Sequence, residues 1–266
     1  MKTLLNMLLS LNSLKKNLGF ASIFSATKFD HHRQIIKDLK YKRVLVLAPH
    51  PDDDIFGIGG TLKKLIVGGA AITVAYFCDG SGGVIEGEDE AGSLERIDKN
   101  LIAVRKAEAR EAALILGIQK QVFFGYRDGK LASGSAAVKA LHDLIDSVKP
   151  EIIFVPSFLD NHPDHRVVNE ILINLISQKQ NLHSVEIWAY EIWTPLFPNR
   201  IVIINDSIEA KKKAMAAHKS QIKARGYSQA ILGLNQYRAE INNYNGFAEA
   251  FFATTAEIYR KLYRKS

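Results

Sequence analysis

The chain alternates short, continuous apolar runs with amphipathic helical stretches, and this alternation restricts the fold more than any other feature. Val44–Leu47 contains no polar residue, as expected for a strand that is buried on both faces. The predicted strands cover 44–47, 71–77, 121–124, 151–155, 185–190 and 201–204, and the predicted helices cover 55–67, 94–116, 135–148, 165–178, 207–223 and 229–242. Elements in this order form right-handed βαβ units, so we predict a mostly parallel sheet flanked by helices.

A length of 266 residues is sufficient for one large α/β domain with a sizeable core. We predict a helix-prone N-terminal extension over 1–40 and a single domain over 41–266, a three-layer sandwich of Rossmann-like type. The hydrophobic fraction of 47% and charged fraction of 24% are ordinary for a globular protein. No run reaches the roughly 18 apolar residues of a membrane span, and we expect a cytoplasmic protein.

The cysteine count limits the kinds of site that the chain can form, and the distribution of charge limits the classes of partner. Cys78 is the single cysteine, which excludes an internal disulfide framework and a cysteine-rich zinc site. The net charge is +7, but the basic residues are scattered and no basic motif is interleaved with aromatic residues. We therefore predict no nucleic-acid partner. The sequence leaves peripheral membrane contact and homo-oligomerisation open.

Two segments rich in histidine and aspartate each follow a predicted strand. His50-Pro51-Asp52-Asp53 comes directly after the first strand, and His162-Pro163-Asp164-His165 lies a few residues after the fourth. Either segment alone could be ordinary, because aspartates cap helix N-termini and a polar His-Pro-Asp-His stretch suits a surface turn. In a parallel sheet, however, both loops open on the carboxyl edge, where ligands bind. Imidazole and carboxylate donors suit Zn²⁺ with an open position for water, so the pair predicts a metal site.

These segments resemble the signature motifs of the LmbE-like, or PIG-L, family of N-deacetylases. The first motif is Leu47–Asp54 with Ile58–Leu62, and the second is His162–His165. Weaker similarity extends over about residues 43–252, with supporting matches at Arg105, Glu108, 126–129, 217–221 and 248–251.

The sequence departs from the family pattern at three positions. Pro49 and Asp54 stand where the family usually has alanine and glutamate. Asp160 stands where some members carry a tyrosine, which puts a tyrosine role in oxyanion binding in doubt.

The resemblance implies that His50, Asp53 and His165 bind the metal and that Asp52 is the general base. The chemistry agrees, since a base must reach the activated water without being a ligand itself. The expected cofactor is Zn²⁺, although Fe²⁺ or another divalent metal also suits these ligand types.

The remaining motif residues are expected to serve the transition state and the substrate. His162 is the candidate donor to the oxyanion and could protonate the leaving amine. Asp164 would orient either His162 or a ligand histidine. The resemblance places Arg105 and Asp128 near the substrate, while a surface pair between Arg105 and Glu108 is the alternative.

The predicted function is hydrolytic removal of the acetyl group from an N-acetylglucosamine-type amino sugar or its conjugate, so the expected partner is a small N-acetylated sugar conjugate. One rival is a catalytically inactive member of the same fold that binds sugar or lipid. A second rival is a dinucleotide-binding oxidoreductase, because Gly57, Gly59 and Gly60 follow the first strand. Their spacing is wrong for that motif, and three aspartates occupy the turn where a pyrophosphate would bind.

Overall fold

The computed structural model describes residues 33–82, 99–223 and 226–264. These residues form an eight-stranded sheet in the order β1-β7-β8-β6-β5-β2-β3-β4. The strands are β1 Gln34–Ile36, β2 Arg43–Ala48, β3 Ala71–Cys78, β4 Lys120–Tyr126, β5 Ile152–Pro156, β6 Glu186–Tyr190, β7 Arg200–Ile203 and β8 Ala248–Thr255. Neighbouring strands are parallel, except that β8 runs antiparallel to both β6 and β7.

Helices cover both faces of the sheet. They are α1 Asp53–Val67, α2 Lys99–Leu116, α3 Ser135–Val148, α4 Pro163–Gln178, α5 Ile208–Ala217, α6 Lys219–Ile222, α7 Tyr227–Glu240 and α8 Ala256–Tyr263. Buried side chains of α1, α2, α5 and α7 form one apolar layer, and those of α3, α4 and α8 form the other. The predicted three-layer, mostly parallel α/β architecture is therefore confirmed.

The central strand β2 shows why its sequence is continuously apolar. Val44 and Val46 pack into the layer that contains α1, whereas Leu45 and Leu47 pack into the opposite layer. All four side chains are fully buried, because successive residues of a strand point to opposite faces and both faces are covered here.

The structure differs from the predicted elements in several places. Strand β8 and helix α8 follow the last predicted helix, and the predicted helix 207–223 is divided at His218 into α5 and α6. Most of the predicted N-terminal extension lies outside the described residues, as does the start of the helix predicted from 94. Within the extension, Gln34–Ile36 forms an edge strand that pairs with β7, so the sheet begins before residue 41. The domain boundary at 41 stays a prediction.

The glycines of α1 serve close packing. A Cβ atom on Gly57 would lie 2.6 Å from the Tyr190 ring, and one on Gly60 would lie 2.7 Å from the Ile204 side chain. Side chains therefore fill the space beside these glycines, which argues against the dinucleotide-binding alternative. No described helix combines the length and the apolar character needed to cross a membrane.

A charged side chain from β8 stabilises an irregularity in α1. Ile58 has non-helical backbone angles, which leave the next backbone N–H groups without helical partners. The buried Glu249 carboxylate accepts hydrogen bonds from Gly60 N at 2.9 Å and Thr61 N at 2.7 Å. The buried ammonium group of Lys211 lies 2.6 Å from the same carboxylate. This contact holds the helix whose first residues carry the aspartates of the first motif.

Candidate metal centre

The two histidine segments meet at the carboxyl edge of the sheet, as the topology predicts. His50 follows β2, while His162 and His165 flank the first turn of α4, which comes after β5. The His162 ring centre lies 4.7 Å from that of His50 and 4.8 Å from that of His165. One nitrogen from each ring falls within 4.8 Å of the other two. The fold therefore brings His50 next to two imidazoles that lie more than 100 residues later in the chain.

Asp53 places one carboxylate oxygen between two of these rings. Its Oδ2 lies 3.1 Å from His50 Nδ1 and 3.3 Å from His165 Nε2. Donors that share a tetrahedral zinc ion at about 2.0–2.1 Å lie roughly 3.3 Å apart. Asp53 Oδ2 is therefore at the distance expected between zinc donors from one nitrogen of each ring, and His50, Asp53 and His165 are the residues predicted as ligands.

Two carboxylates lie behind His50 on the side away from Asp53. His50 Nε2 is 2.9 Å from Asp128 Oδ1 and 3.2 Å from Asp164 Oδ2. Burial lowers the pKa of His50, but the contacts with Asp128, Asp164 and Asp53 outweigh it and raise the pKa well above its usual value. In the neutral ring this arrangement favours a proton on Nε2, which leaves the Nδ1 lone pair facing Asp53. Of the two predicted roles for Asp164, its side chain is placed to orient a ligand histidine.

His165 also has a carboxylate behind its ring, but this carboxylate faces Nδ1, whereas those behind His50 face Nε2. Its side chain is fully buried, and Nδ1 lies 3.3 Å from Oδ1 of Asp160, which is also fully buried. Among the described residues, neither ring nitrogen of His165 has a hydrogen-bond partner of good geometry. Buried polar atoms normally have partners, so this ring suits coordination of a cation. The position of Asp160 behind His165 was not predicted from the sequence.

Asp52 stands beside the donor set without belonging to it. It is the N-cap residue of α1, yet its side chain makes no capping hydrogen bond. Its Oδ2 instead lies 3.0 Å from the Arg105 guanidinium. Burial raises the pKa of Asp52, while the positive charge of Arg105 acts against that rise. The ordinary interpretation of the Asp52 side chain as a helix cap is therefore wrong, because its carboxylate pairs with Arg105 instead.

His162 is only partly buried and has one ring nitrogen engaged. Its Nδ1 accepts the backbone N–H of Asp164 at 3.2 Å, which caps α4. In the neutral ring the proton therefore resides on Nε2. Burial lowers the pKa of His162, and the neighbouring His50 lowers it further. The ring can thus present an N–H group towards the centre.

Arg105 and Asp128, the predicted substrate contacts, lie deep in the site. Arg105 is buried and lies 3.7 Å from Asp128 in addition to its contact with Asp52. The alternative of a surface pair with Glu108 is wrong, because Glu108 accepts hydrogen bonds from Ser220 N and Ser220 Oγ, each at 2.7 Å. Asp128 also accepts the backbone N–H of Gly82 at 2.9 Å. The structure therefore places both residues behind Asp52 and His50.

Cys78 and Asp54 are further buried side chains near the centre. Cys78 is buried, and its sulfur lies within 4.8 Å of possible ligand atoms on His50, Asp128 and Asp164. Asp54 accepts the Tyr76 hydroxyl at 3.0 Å, and burial raises the pKa of Asp54 to about 7. The Asp54 carboxylate thus contacts the Tyr76 hydroxyl.

His218 is a further buried histidine. Its ring centre lies 5.8 Å from that of Phe56, and its Nε2 has no hydrogen-bond partner among the described residues. Burial lowers its pKa to about 3, so this imidazole is neutral.

Comparison with known proteins assigns the chain to a family. The sequence profile of the PIG-L family, described as GlcNAc-PI de-N-acetylase, matches residues 45–176. Diacetylchitobiose deacetylase of Thermococcus kodakarensis is 30% identical over 197 residues, which are 68% of this chain and 70% of that protein. A probable N-acetyl-alpha-D-glucosaminyl L-malate deacetylase 2 of Bacillus cereus is 28% identical over 192 residues, 69% of this chain and 85% of that protein.

A solved structure extends the similarity to three dimensions. The N,N'-diacetylchitobiose deacetylase from Pyrococcus horikoshii in complex with its inhibitor MPG has a TM-score of 0.68 and 28% identity. The match covers 82% of this chain and 86% of that one. The matched range 45–176 also contains both histidine segments. The chain therefore belongs to the PIG-L, or LmbE-like, family.

Proposed function

We propose that this protein is a metal-dependent hydrolase that removes the acetyl group from an N-acetylglucosamine-type amino sugar or its conjugate. The observation that carries the proposal is the position of Asp52, a buried carboxylate next to three metal-donor side chains but paired with Arg105 instead. The relatives named as deacetylases support the same reaction.

His50, Asp53 and His165 would hold the metal, because Asp53 Oδ2 lies at the distance expected between zinc donors from one ring nitrogen of each histidine. A divalent cation at these donors would polarise the acetyl carbonyl and make a water molecule more acidic. We propose zinc, since two imidazoles and one carboxylate match its preferred ligands. Asp128 and Asp164 behind His50, and Asp160 behind His165, would fix the orientation of the two rings.

The protein's own side chains then divide the work of amide hydrolysis. Asp52 accepts a proton as the water oxygen bonds to the acetyl carbon. His162 Nε2–H donates a hydrogen bond to the carbonyl oxygen as negative charge develops there. The carbon–nitrogen bond breaks, and the proton held by Asp52 or His162 passes to the leaving amine. Arg105 keeps Asp52 in place and favours its charged form before the reaction.

A deacetylation screen tests the function directly. Purified protein is incubated with N-acetylglucosamine, N,N'-diacetylchitobiose and N-acetylglucosaminyl conjugates, and the released acetate is measured. We expect acetate release that stops with a chelator and returns on addition of Zn²⁺. Elemental analysis of the same sample should find about one metal ion per chain.

The same screen separates the enzyme from an inactive binding member of the fold. Bound metal without acetate release from any N-acetyl sugar would favour the inactive member. Absence of stoichiometric metal, combined with no rescue by added Zn²⁺ or Fe²⁺, would reject the metal centre itself.

A further inference from the structure

Trp193 is an exposed aromatic residue at the mouth of the centre that the proposed chemistry does not use. It lies in the loop after β6, and 46% of the residue is exposed. The protein has one other tryptophan, Trp188, which is 2% exposed, packs in the core and donates from Nε1 to Glu186. Packing in the core therefore explains the tryptophan at position 188 but not the exposed tryptophan at position 193.

The loop that carries Trp193 is fixed to the metal centre through a buried carboxylate. Asp160 Oδ2 accepts the backbone N–H of Trp193 at 3.0 Å and that of Thr194 at 3.3 Å. Thr194 Oγ1 in turn accepts the backbone N–H of Asn161 at 3.0 Å. The other oxygen of Asp160 faces the ring of His165. The position of Trp193 is thus set by the residue that lies behind a candidate metal ligand.

The aromatic rings follow a path from the buried centre to the surface. The ring of the buried His50 contacts that of His162, which is partly exposed. The centre of the Trp193 indole lies 6.4 Å from that of the His162 ring, and the two ring planes are 23° apart. Tyr227 supports the indole from another side, with ring centres 4.9 Å apart. The rings thus connect the buried centre to an exposed indole.

We propose that Trp193 forms a second sugar subsite, so that the enzyme prefers an N-acetylglucosamine unit linked to another pyranose ring. This inference rests on the proposed function. One face of a pyranose presents C–H groups that pack on an indole, while its hydroxyl groups point outward to polar partners. The indole lies beside the His162 ring and is followed in the chain by Thr194, so an apolar face with polar groups next to it is available to such a ring.

An alkyl chain is the competing ligand. Leu159 and Phe197, on the same two loops, are 43% and 76% exposed, so an apolar aglycone would also find contacts near the mouth. The polar side chains of His162 and Thr194 favour the sugar, because the hydroxyl groups of a pyranose can form hydrogen bonds with them and a hydrocarbon chain cannot.

The test compares three substrates in four proteins. The substrates are N-acetylglucosamine, N,N'-diacetylchitobiose and octyl N-acetylglucosaminide, and the proteins are the wild type, Trp193→Ala, Trp193→Phe and the control Tyr237→Ala. Tyr237 is an exposed aromatic residue of α7, with 56% exposure. We expect Trp193→Ala to lower kcat/KM for the disaccharide about tenfold, mainly through KM, as for loss of one stacking contact. The monosaccharide should change less than about twofold, Trp193→Phe should recover most of the loss, and Tyr237→Ala should match the wild type.

Other results would overturn the subsite. An equal loss of kcat/KM on monosaccharide and disaccharide would show that Trp193 merely positions His162. A larger loss on the octyl glycoside than on the disaccharide would identify an alkyl site.

Fluorescence titration tests the same contact without turnover. Chitobiose should change the indole emission of the wild type but not that of Trp193→Phe, in which Trp188 remains as an internal reference. If the wild type showed no change with chitobiose, the second subsite would be rejected even in an active enzyme. If the wild type released no acetate from any substrate but bound chitobiose through Trp193, the proposed function alone would fail.

Discussion

Asp160 Oδ1 lies 3.3 Å from Nδ1 of His165, and both side chains are fully buried. Burial alone would raise the pKa of Asp160, but the contact with His165 and the backbone N–H groups of His162 and Trp193 lower it, so the carboxylate is charged. A charged group behind a histidine fixes the ring and makes its opposite nitrogen a better metal ligand. Asp160 therefore binds the backbone of two loops and, in the proposed site, would also strengthen metal binding by His165.

Replacing Asp160 with asparagine should weaken metal binding while keeping the shape of the side chain. We expect the Kd for Zn²⁺ to rise about 10–100-fold, as for other partners of ligand histidines. Competition with a chromophoric chelator measures this change. Asp206→Asn is the matched control, since its side chain is 67% exposed and pairs with Lys64. An Asp160→Asn protein that binds Zn²⁺ as tightly as the control would show that Asp160 serves only the loop.

Asp52→Ala and His165→Ala should separate the base from the ligands. Asp52→Ala is expected to keep its metal and lose about 10²–10⁴-fold in acetate release, because only proton transfer is removed. His165→Ala should lose both metal and turnover, since one of the proposed donors is gone. Elemental analysis and an acetate assay on the same samples measure both quantities. Near-normal rates in Asp52→Ala would reject it as the base.

The sheet could be predicted where its strands are continuously apolar, and β8 could not. Ala248–Thr255 contains Glu249 and several small residues, so it lacks the pattern of a buried strand. Glu249 is nevertheless 1% exposed, because it accepts N–H groups of α1 and pairs with Lys211. Those partners lie 38 or more residues away, and local sequence does not reveal them.

In the candidate site, too, the residues in short motifs could be predicted, whereas a residue defined by contacts with distant parts of the chain could not. His50, Asp53 and His165 could be identified because short motifs after two strands must meet at one edge of a parallel sheet. Asp160 could not, although it stands only two residues before the second motif. Its role depends on the orientation of His165 and on the backbone of Trp193, which is 33 residues further along the chain. The residue spacing within one motif predicts neither the contact of Asp160 with His165 nor that with Trp193.

Glu249→Ala should be among the most destabilising single substitutions in the described part of the chain. It leaves the buried Lys211 ammonium without its counter-ion and removes the acceptor for Gly60 N and Thr61 N. Loss of one partner from a buried ion pair costs about 3–5 kcal/mol of unfolding free energy. Denaturant unfolding measures the change. Glu257→Ala, which removes an exposed pair with Lys261, is the control and should leave the midpoint nearly unchanged. Similar midpoints for both variants would mean that water replaces the lost contacts of Glu249.

Gly60→Ala and Gly233→Ala should change stability in opposite directions, although both place alanine in a helix. At Gly233, in the exposed interior of α7, a Cβ atom would meet nothing within 4 Å, so the better helix propensity should add up to about 1 kcal/mol. At Gly60 a Cβ atom would lie 2.7–2.8 Å from three atoms of Ile204. Such overpacking costs about 1–3 kcal/mol and exceeds the gain in propensity. Thermal unfolding should therefore show a higher Tm for Gly233→Ala and a lower Tm for Gly60→Ala. A stabilised Gly60→Ala protein would show that Ile204 moves aside at little cost and that close packing does not require glycine there.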